Sequence, residues 1–291
     1  MFEGFEEFDV VTGETTIHGR KGGSGPPLLL LHGFPQTHLM WHATAPMLAD
    51  HLTVVAADLR GYGNSGTPRS SDDHRPYSKS VMARDMIFVM RKLGYERFSV
   101  AGHDRGGRCA YRMALDHPNS VTRLAVLDLI PTNEAFNRAD MKFALGFWPW
   151  SLLAQPFPFP ETLIAGAPEF IANYPLDTWS SDPTSFPDEV RSEYMRQFRD
   201  AEHVHAICEE YRAAATLDYA QDEIDKGKRQ IDCPVLAIWS KKGALEAWYD
   251  PLQIWKQWAT DVSGRAIDCG HFLPEEAPKE TSEELLSFFA G

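Results

Sequence analysis

The sequence predicts an α/β fold, a mostly parallel sheet flanked by helices and interrupted by a helical insertion. Three observations carry that expectation. Short apolar runs alternate with amphipathic stretches from Leu28 to Leu129 and again from Pro234 onward, as a parallel sheet with helices on both faces requires. Residues 133–221 contain no clean strand and are rich in aromatic residues and proline. Between two such elements, Gly102-His103-Asp104-Arg105-Gly106-Gly107 has the form Gly-x-nucleophile-x-Gly, the signature of a sharp strand-to-helix turn that pushes one side chain into a pocket.

The elements follow in order. Residues 5–20 alternate loosely around Gly13 and read as an N-terminal hairpin. Leu28–Leu31 is a fully apolar strand ending at His32-Gly33-Phe34-Pro35. Trp41–Leu48 reads as a helix and Leu52–Ala57 as the next strand, followed by the glycine-rich turn Asp58-Leu59-Arg60-Gly61-Tyr62-Gly63. Ser80–Leu93 has helical periodicity, and the run Arg97–Ala101 leads into the elbow. Val121–Leu129 is a strand ending near Asp128. In the insertion, helices are expected near Ala135–Leu145 and Asp188–Ala215. Strand Pro234–Trp239, helix Pro251–Trp258, a short strand at Ala266–Ile267 and a helix over about Glu276–Phe289 complete the chain. The division expected is a core of residues 1–132 and 222–291 with a cap of 133–221, lying over the strand ends where open α/β sheets bind ligands.

Composition narrows the function. The 291 residues are 43% hydrophobic and 12% aromatic, enough for a substantial core. A formal charge of −13 argues against nucleic acid or an anionic membrane surface as partner, so an anionic substrate needs a local basic pocket. No apolar run approaches a membrane span, and the acidic start Met1-Phe2-Glu3-Gly4 is unlike a signal peptide. Cys109, Cys208, Cys233 and Cys269 lie far apart with no C-x-x-C pair, which suggests reduced thiols in the cytoplasm rather than a zinc site or disulfide framework.

The elbow carries aspartate where a serine often stands. A carboxylate forms a covalent intermediate by displacement at carbon, and the ester must then be hydrolysed by activated water. The bland alternative for Asp104 is a helix N-cap, but flanking glycines after a strand are unusual for a mere cap. His271, after the last strand, supplies a base, and Asp128 at another strand end can orient it; Glu246 and Asp250 are rivals for that task. Arg105 and Arg108 share a face of the elbow helix. Cations at a helix N-terminus oppose its dipole, so two of them beside the nucleophile suggest a clamp on a carboxylate, one that would also keep Asp104 ionised. Backbone N–H groups of Phe34 and Arg105 are placed to form an oxyanion hole.

These motifs resemble the α/β-hydrolase superfamily and, more narrowly, the fluoroacetate (haloacetate) dehalogenases. The first two supporting segments, His32-Gly33-Phe34-Pro35-Gln36 and Asp58–Gly63, mark only the superfamily. The Asp104-Arg105-x-x-Arg108 elbow with Tyr211-Arg212-Ala213-Ala214-Ala215-Thr216 is far more specific, and Met113–Pro118 and Gly270-His271-Phe272 add to it. The resemblance implies an eight-stranded, mostly parallel sheet with a helical cap inserted after the sixth strand, no cofactor or metal, a small haloacid substrate and a homodimer. It implies that Asp104 attacks the α-carbon of a haloacetate, that His271 with Asp128 hydrolyses the ester, and that Arg105 and Arg108 hold the substrate carboxylate. Trp150 and Tyr211 match two of the family's halide donors. The third, a histidine just before that tryptophan, is Pro149 here, in Trp148-Pro149-Trp150. Proline offers no donor, so defluorination relative to dechlorination should be weaker than the family norm.

Two other readings stand beside this one. An epoxide hydrolase uses the same Asp/His chemistry with two lid tyrosines, for which Tyr211 and either Tyr174 or Tyr194 are candidates. A silent member of the fold would bind a small carboxylate without turnover.

Overall fold

Eight strands form one sheet: β1 (Glu6–Val11), β2 (Thr16–Gly22), β3 (Pro27–Leu31), β4 (Thr53–Ala57), β5 (Phe98–His103), β6 (Val121–Leu127), β7 (Val235–Ser240) and β8 (Val262–Ile267). Their order is β1-β2-β4-β3-β5-β6-β7-β8. β1 and β2 make the expected hairpin, β2 runs antiparallel to β4, and all later pairings are parallel. The computed structural model describes residues 1–290.

Sequence explains the layering. Leu28–Leu31 and Val54–Ala57 are fully buried, as strands covered on both faces must be. The Lys79–Lys92 and Asp104–Asp116 helices pack together, and the latter lies against β5 and β6. Parallel register then does the positioning. Leu31 pairs with Gly102, His103 with Leu127, and Leu127 with Ile238. The residues following β3, β5 and β6, and the last residue of β7, therefore emerge side by side at one edge: the His32–Phe34 turn, Asp104, Asp128 and Ser240.

Between β6 and β7 the chain is helical: Thr132–Asn137, Met141–Gly146, Trp148–Leu152, Phe159–Gly166, Pro168–Thr178, Asp188–Phe198, Ala201–Ala213, a π-helical turn at Ala214–Asp218, and Tyr219–Asp225. Several expected helices are shorter or broken, each for a local reason. Trp41–Leu48 resolves into a 3-10 turn (His38–Trp41) and a short helix from Ala45, because Pro46 lacks the N–H a continuous helix would use. Ala135–Leu145 and Asp188–Ala215 each contain a new start where an aspartate, Asp140 or Asp200, caps the following turn. The last helix begins at Pro278, after a separate turn at Leu273–Glu276. The helices at 159–178 were hidden by prolines, which sit in their first turns and, at Pro175, inside one. β8 is longer than the Ala266–Ile267 expectation, its outward positions being polar. Among the described residues no helix is long and apolar enough to cross a membrane.

Candidate active site

The turn after β5 places Asp104 at φ +43°, a left-handed conformation that a non-glycine residue adopts only under constraint. Three glycines hold it there by close approach. A Cβ on Gly106 would sit 2.3 Å from the His32 carbonyl, one on Gly102 2.5 Å from the Gly106 carbonyl, and one on Gly33 2.8 Å from the Asp104 Cβ. The carboxylate is buried, and its Oδ2 accepts the Phe34 N–H at 3.2 Å.

Asp128, after β6, has a left-handed φ of +55°. Its Oδ2 lies 2.6 Å from His271 Nδ1, while Oδ1 accepts from the Ser240 N–H at 2.8 Å and the Ser240 hydroxyl at 2.9 Å. A carboxylate on Nδ1 assigns the proton to that nitrogen, and His271 Nε2 is buried with no partner. The rivals for this task are occupied elsewhere. Glu246 accepts from Trp239 Nε1 at 2.6 Å, and Asp250 caps the turn at Gln253. Two supports escaped the sequence reading: the Trp179 carbonyl accepts the His271 N–H at 2.9 Å, and His103 Nε2 lies 2.8 Å from the His271 carbonyl.

The charges bias one another. Burial lifts the Asp104 carboxyl, but His271, Arg105 and Arg108 outweigh it and hold the group below its ordinary value. Burial disfavours the His271 imidazolium, but the Asp128 hydrogen bond and the charges of Asp128 and Asp104 outweigh it and raise its pKa above 6.5. Burial and the neighbouring Arg105 charge bring Arg108 down to about 10.

The two arginines part company. Arg108 lines the cavity, donates to the Ile130 carbonyl at 2.8 Å, stacks on Trp150 with its guanidinium carbon 4.3 Å from the ring centre, and leaves Nε without a partner. Arg105 is fully buried and turned to Glu210, its Nε 2.8 and 2.9 Å from the two carboxylate oxygens and its Nη2 also paired there. Only its Nη1 is without a partner. Lys79 makes a second ion pair to Glu210, and the Tyr62 hydroxyl donates to it at 3.2 Å. Glu210 was missed in the sequence because its neighbour Glu209 has the same identity and a different task; the one available signal was an acidic residue beside Tyr211 on an otherwise buried helix. Ser240 was legible in principle, as the residue ending β7 in line with Asp104 and Asp128.

One narrow cavity gathers Asp104, Arg108, Asp128, Trp150, Tyr211 and His271, with Phe147, Trp179 and Leu245 among its apolar walls. Tyr211 is the single tyrosine lining it among the described residues. Tyr174 is exposed, and the fully buried Tyr194 donates to Glu275 at 2.8 Å, so neither reaches the cavity as a second lid donor. Pro149 and Trp148 are also off the lining; Pro149 is buried in the first turn of the Trp148–Leu152 helix.

The chain belongs to the α/β hydrolase fold family, whose profile matches residues 26–278, and within it to the fluoroacetate (haloacetate) dehalogenases. A fluoroacetate dehalogenase of Burkholderia sp. is 43% identical over 291 residues, covering 100% of this chain and 95% of the relative. A soluble epoxide hydrolase of Corynebacterium sp. is 33% identical, over 94% of this chain and 93% of its own. Among solved structures, an α/β-hydrolase-type protein of Nostoc sp. PCC 7120 superposes with a TM-score of 0.97 at 51% identity, covering 99% of each chain.

The buried trio makes a direct prediction. Glu210→Gln strips Arg105 and Lys79 of their shared ion-pair partner, and removing one partner of a buried ion pair costs roughly 3–5 kcal/mol. Urea unfolding should show that loss; a change below about 1 kcal/mol would mean the pairing carries little.

Proposed function

We propose that this protein is a hydrolytic dehalogenase of short 2-haloacids, converting a haloacetate and water to glycolate and halide through an ester on Asp104. The observation that carries the reading is one small cavity in which a buried, ionised carboxylate meets a partnerless His271 Nε2 and the stacked guanidinium of Arg108. Residues 133–221 then act as the cap that closes it.

Asp104 Oδ2 rests on the Phe34 N–H, which leaves Oδ1 to attack. Its electron pair forms the new C–O bond at the α-carbon as the carbon–halogen bond breaks, and the halide leaves with that bond's electrons. Arg108 on the cavity lining, with the unpartnered Nη1 of Arg105 behind the lining, holds the substrate carboxylate and orients the carbon for in-line attack. Trp150 and Tyr211 face the departing halide. In the second step His271 Nε2 takes a proton from water as its oxygen adds to the Asp104 carboxyl carbon. Oδ2 becomes the oxyanion, held by the N–H groups of Phe34 and Arg105. Collapse expels glycolate, which takes the proton back from His271; the carboxylic acid left on Asp104 passes its remaining proton through His271 Nε2 to solvent, which restores the carboxylate. Asp128 stabilises the imidazolium throughout.

A single tyrosine on the cavity favours this reading over epoxide opening, where two hydroxyls would protonate the leaving oxygen. The substrate class is a small anion; the four cysteines, all unpaired, fit a cytoplasmic protein. A homodimer is part of the same reading, and the exposed Phe157, Phe159, Leu163 and Phe170 of the insertion offer an apolar surface for it.

Three outcomes test the mechanism. Asp104→Asn should abolish halide release, and His271→Asn should accumulate an Asp104 ester visible by mass spectrometry with chloroacetate; if that variant forms no adduct, or if a simple epoxide is turned over faster than haloacetates, the assignment fails. Pro149 stands off the cavity lining but directly precedes Trp150, which is on it, and supplies no donor; Pro149→His should raise fluoride release from fluoroacetate relative to chloride release from chloroacetate by roughly 5- to 150-fold, the equivalent of ~1–3 kcal/mol for a missing polar partner, and no gain would refute the role given to this position. The pH dependence has a definite sign. Hydrolysis needs neutral His271, so kcat falls as pH drops through the imidazole pKa. In the ester Asp104 has lost its charge, removing one of the influences that raise that pKa. The acid limb of kcat, with hydrolysis rate-limiting, should therefore lie below the His271 pKa measured by NMR on the free enzyme; the reverse order would exclude His271 as the base in this step.

A further inference from the structure

On the far side of the His32–Phe34 turn lies a second group of chemistry-bearing side chains that the dehalogenation scheme does not use. His18 is on β2, His38 opens the 3-10 turn beyond Phe34, and Asp58 follows β4. All three are buried, and a nitrogen of each ring and an Asp58 oxygen lie within 4.8 Å of one another. They border a cleft of about 800 Å³, counted to solvent.

Hydrogen bonding prepares both rings in the same way. His38 Nδ1 lies 2.9 Å from Asp58 Oδ1, and His18 Nδ1 lies 3.0 Å from Asp9 Oδ1, its direct cross-strand partner. A carboxylate accepts and does not donate, so each Nδ1 carries the proton and each neutral ring presents its lone pair at Nε2. Carboxylate–imidazole pairs of this kind are the usual outer support of histidine metal ligands. His38 Nε2 is buried with no partner in the protein, although His38 borders the cleft. Asp58 is held in place from its other side, Oδ2 accepting the Asn64 N–H at 2.9 Å.

The surrounding charge suits a cation. The two arginines on the cleft are each matched by a carboxylate, Arg20 by Glu7 and Arg196 by Glu193. That leaves Asp9 and Asp58 against the terminal amine of Met1. Two imidazole nitrogens with carboxylate oxygen nearby favour a divalent transition ion over magnesium or calcium. The two rings stand with centroids 5.4 Å apart, and a tetrahedral pair of Zn–N bonds spans roughly 3.4 Å between nitrogens.

We propose that His18 and His38, backed by Asp9 and Asp58, bind one divalent transition-metal ion, with water completing its coordination. The ion would tie the β1–β2 hairpin to the loop that carries Phe34, and so would stabilise the native fold by binding it alone.

The test uses the full-length protein freed of metal with a chelator, titrated calorimetrically with zinc chloride. One saturable equivalent is expected, with a rise in melting temperature and, on replacing zinc by cobalt(II), a visible absorption band of nitrogen-ligated cobalt. His18→Gln and His38→Gln should each abolish all three signals. Asp9→Asn, at an exposed position, should weaken zinc affinity about 10-fold or more while leaving the metal-free circular dichroism spectrum and haloacetate hydrolysis unchanged. Absence of saturable binding at millimolar zinc would overturn the proposal, as would equal binding by the histidine variants, or His38-dependent binding of inorganic phosphate in place of zinc.

Discussion

The structure depends on two aspartates held in left-handed backbone at the ends of adjacent parallel strands. Asp104 follows β5 and Asp128 follows β6, at φ +43° and +55°. Such a conformation costs of order 1–3 kcal/mol for each residue and persists only where its surroundings over-determine it. Around Asp104 they do so by excluding side chains altogether: Gly33, Gly102 and Gly106 let three segments of backbone meet where any Cβ would collide. That contact puts the Phe34 N–H on the carboxylate and fixes which of its oxygens stays free. Around Asp128 the constraint is polar, with Ser240 holding one oxygen and His271 the other.

Charge balance is the second organising fact. Isolated buried charges are prohibitive, and here they are interleaved: Asp104 faces Arg108 and His271, Arg105 faces Glu210, and Glu210 also answers Lys79. The arrangement lets a fully buried arginine stand beside Asp104 with its Nε and Nη2 on Glu210 and only its Nη1 without a partner. Arg108 gives up less to protein carboxylates and more to the faces of aromatic rings, which attract a cation without neutralising it.

Much of this was legible in the amino-acid sequence, for identifiable reasons. The apolar runs at 28–31 and 52–57 read as strands because burial on both faces leaves no polar alternation to confuse the pattern. The elbow read as a site because glycine spacing is imposed by backbone geometry and is therefore visible at short range. The insertion was harder: Pro168 and Pro175 look like breaks, yet one opens a helix and the other is accommodated within it. Partners distant along the chain were hardest of all. Nothing near Arg105 announces that Glu210 will neutralise it, and nothing near Tyr194 says that Glu275 will claim its hydroxyl. Pairing across a fold is written in tertiary packing, which short-range pattern does not encode.

The bond between Arg105 and Glu210 also has a history to constrain. Either residue replaced alone leaves a buried charge without its counterpart, so the two positions form a coupled pair through which single-step substitution passes only by way of a crippled intermediate. A lineage that exchanges the arginine after Asp104 for an apolar or aromatic residue must dispose of the acid before Tyr211, and settle Lys79, in nearly the same step. The positive charge beside Asp104 is thereby entrenched in the interior of the molecule, well away from its surface.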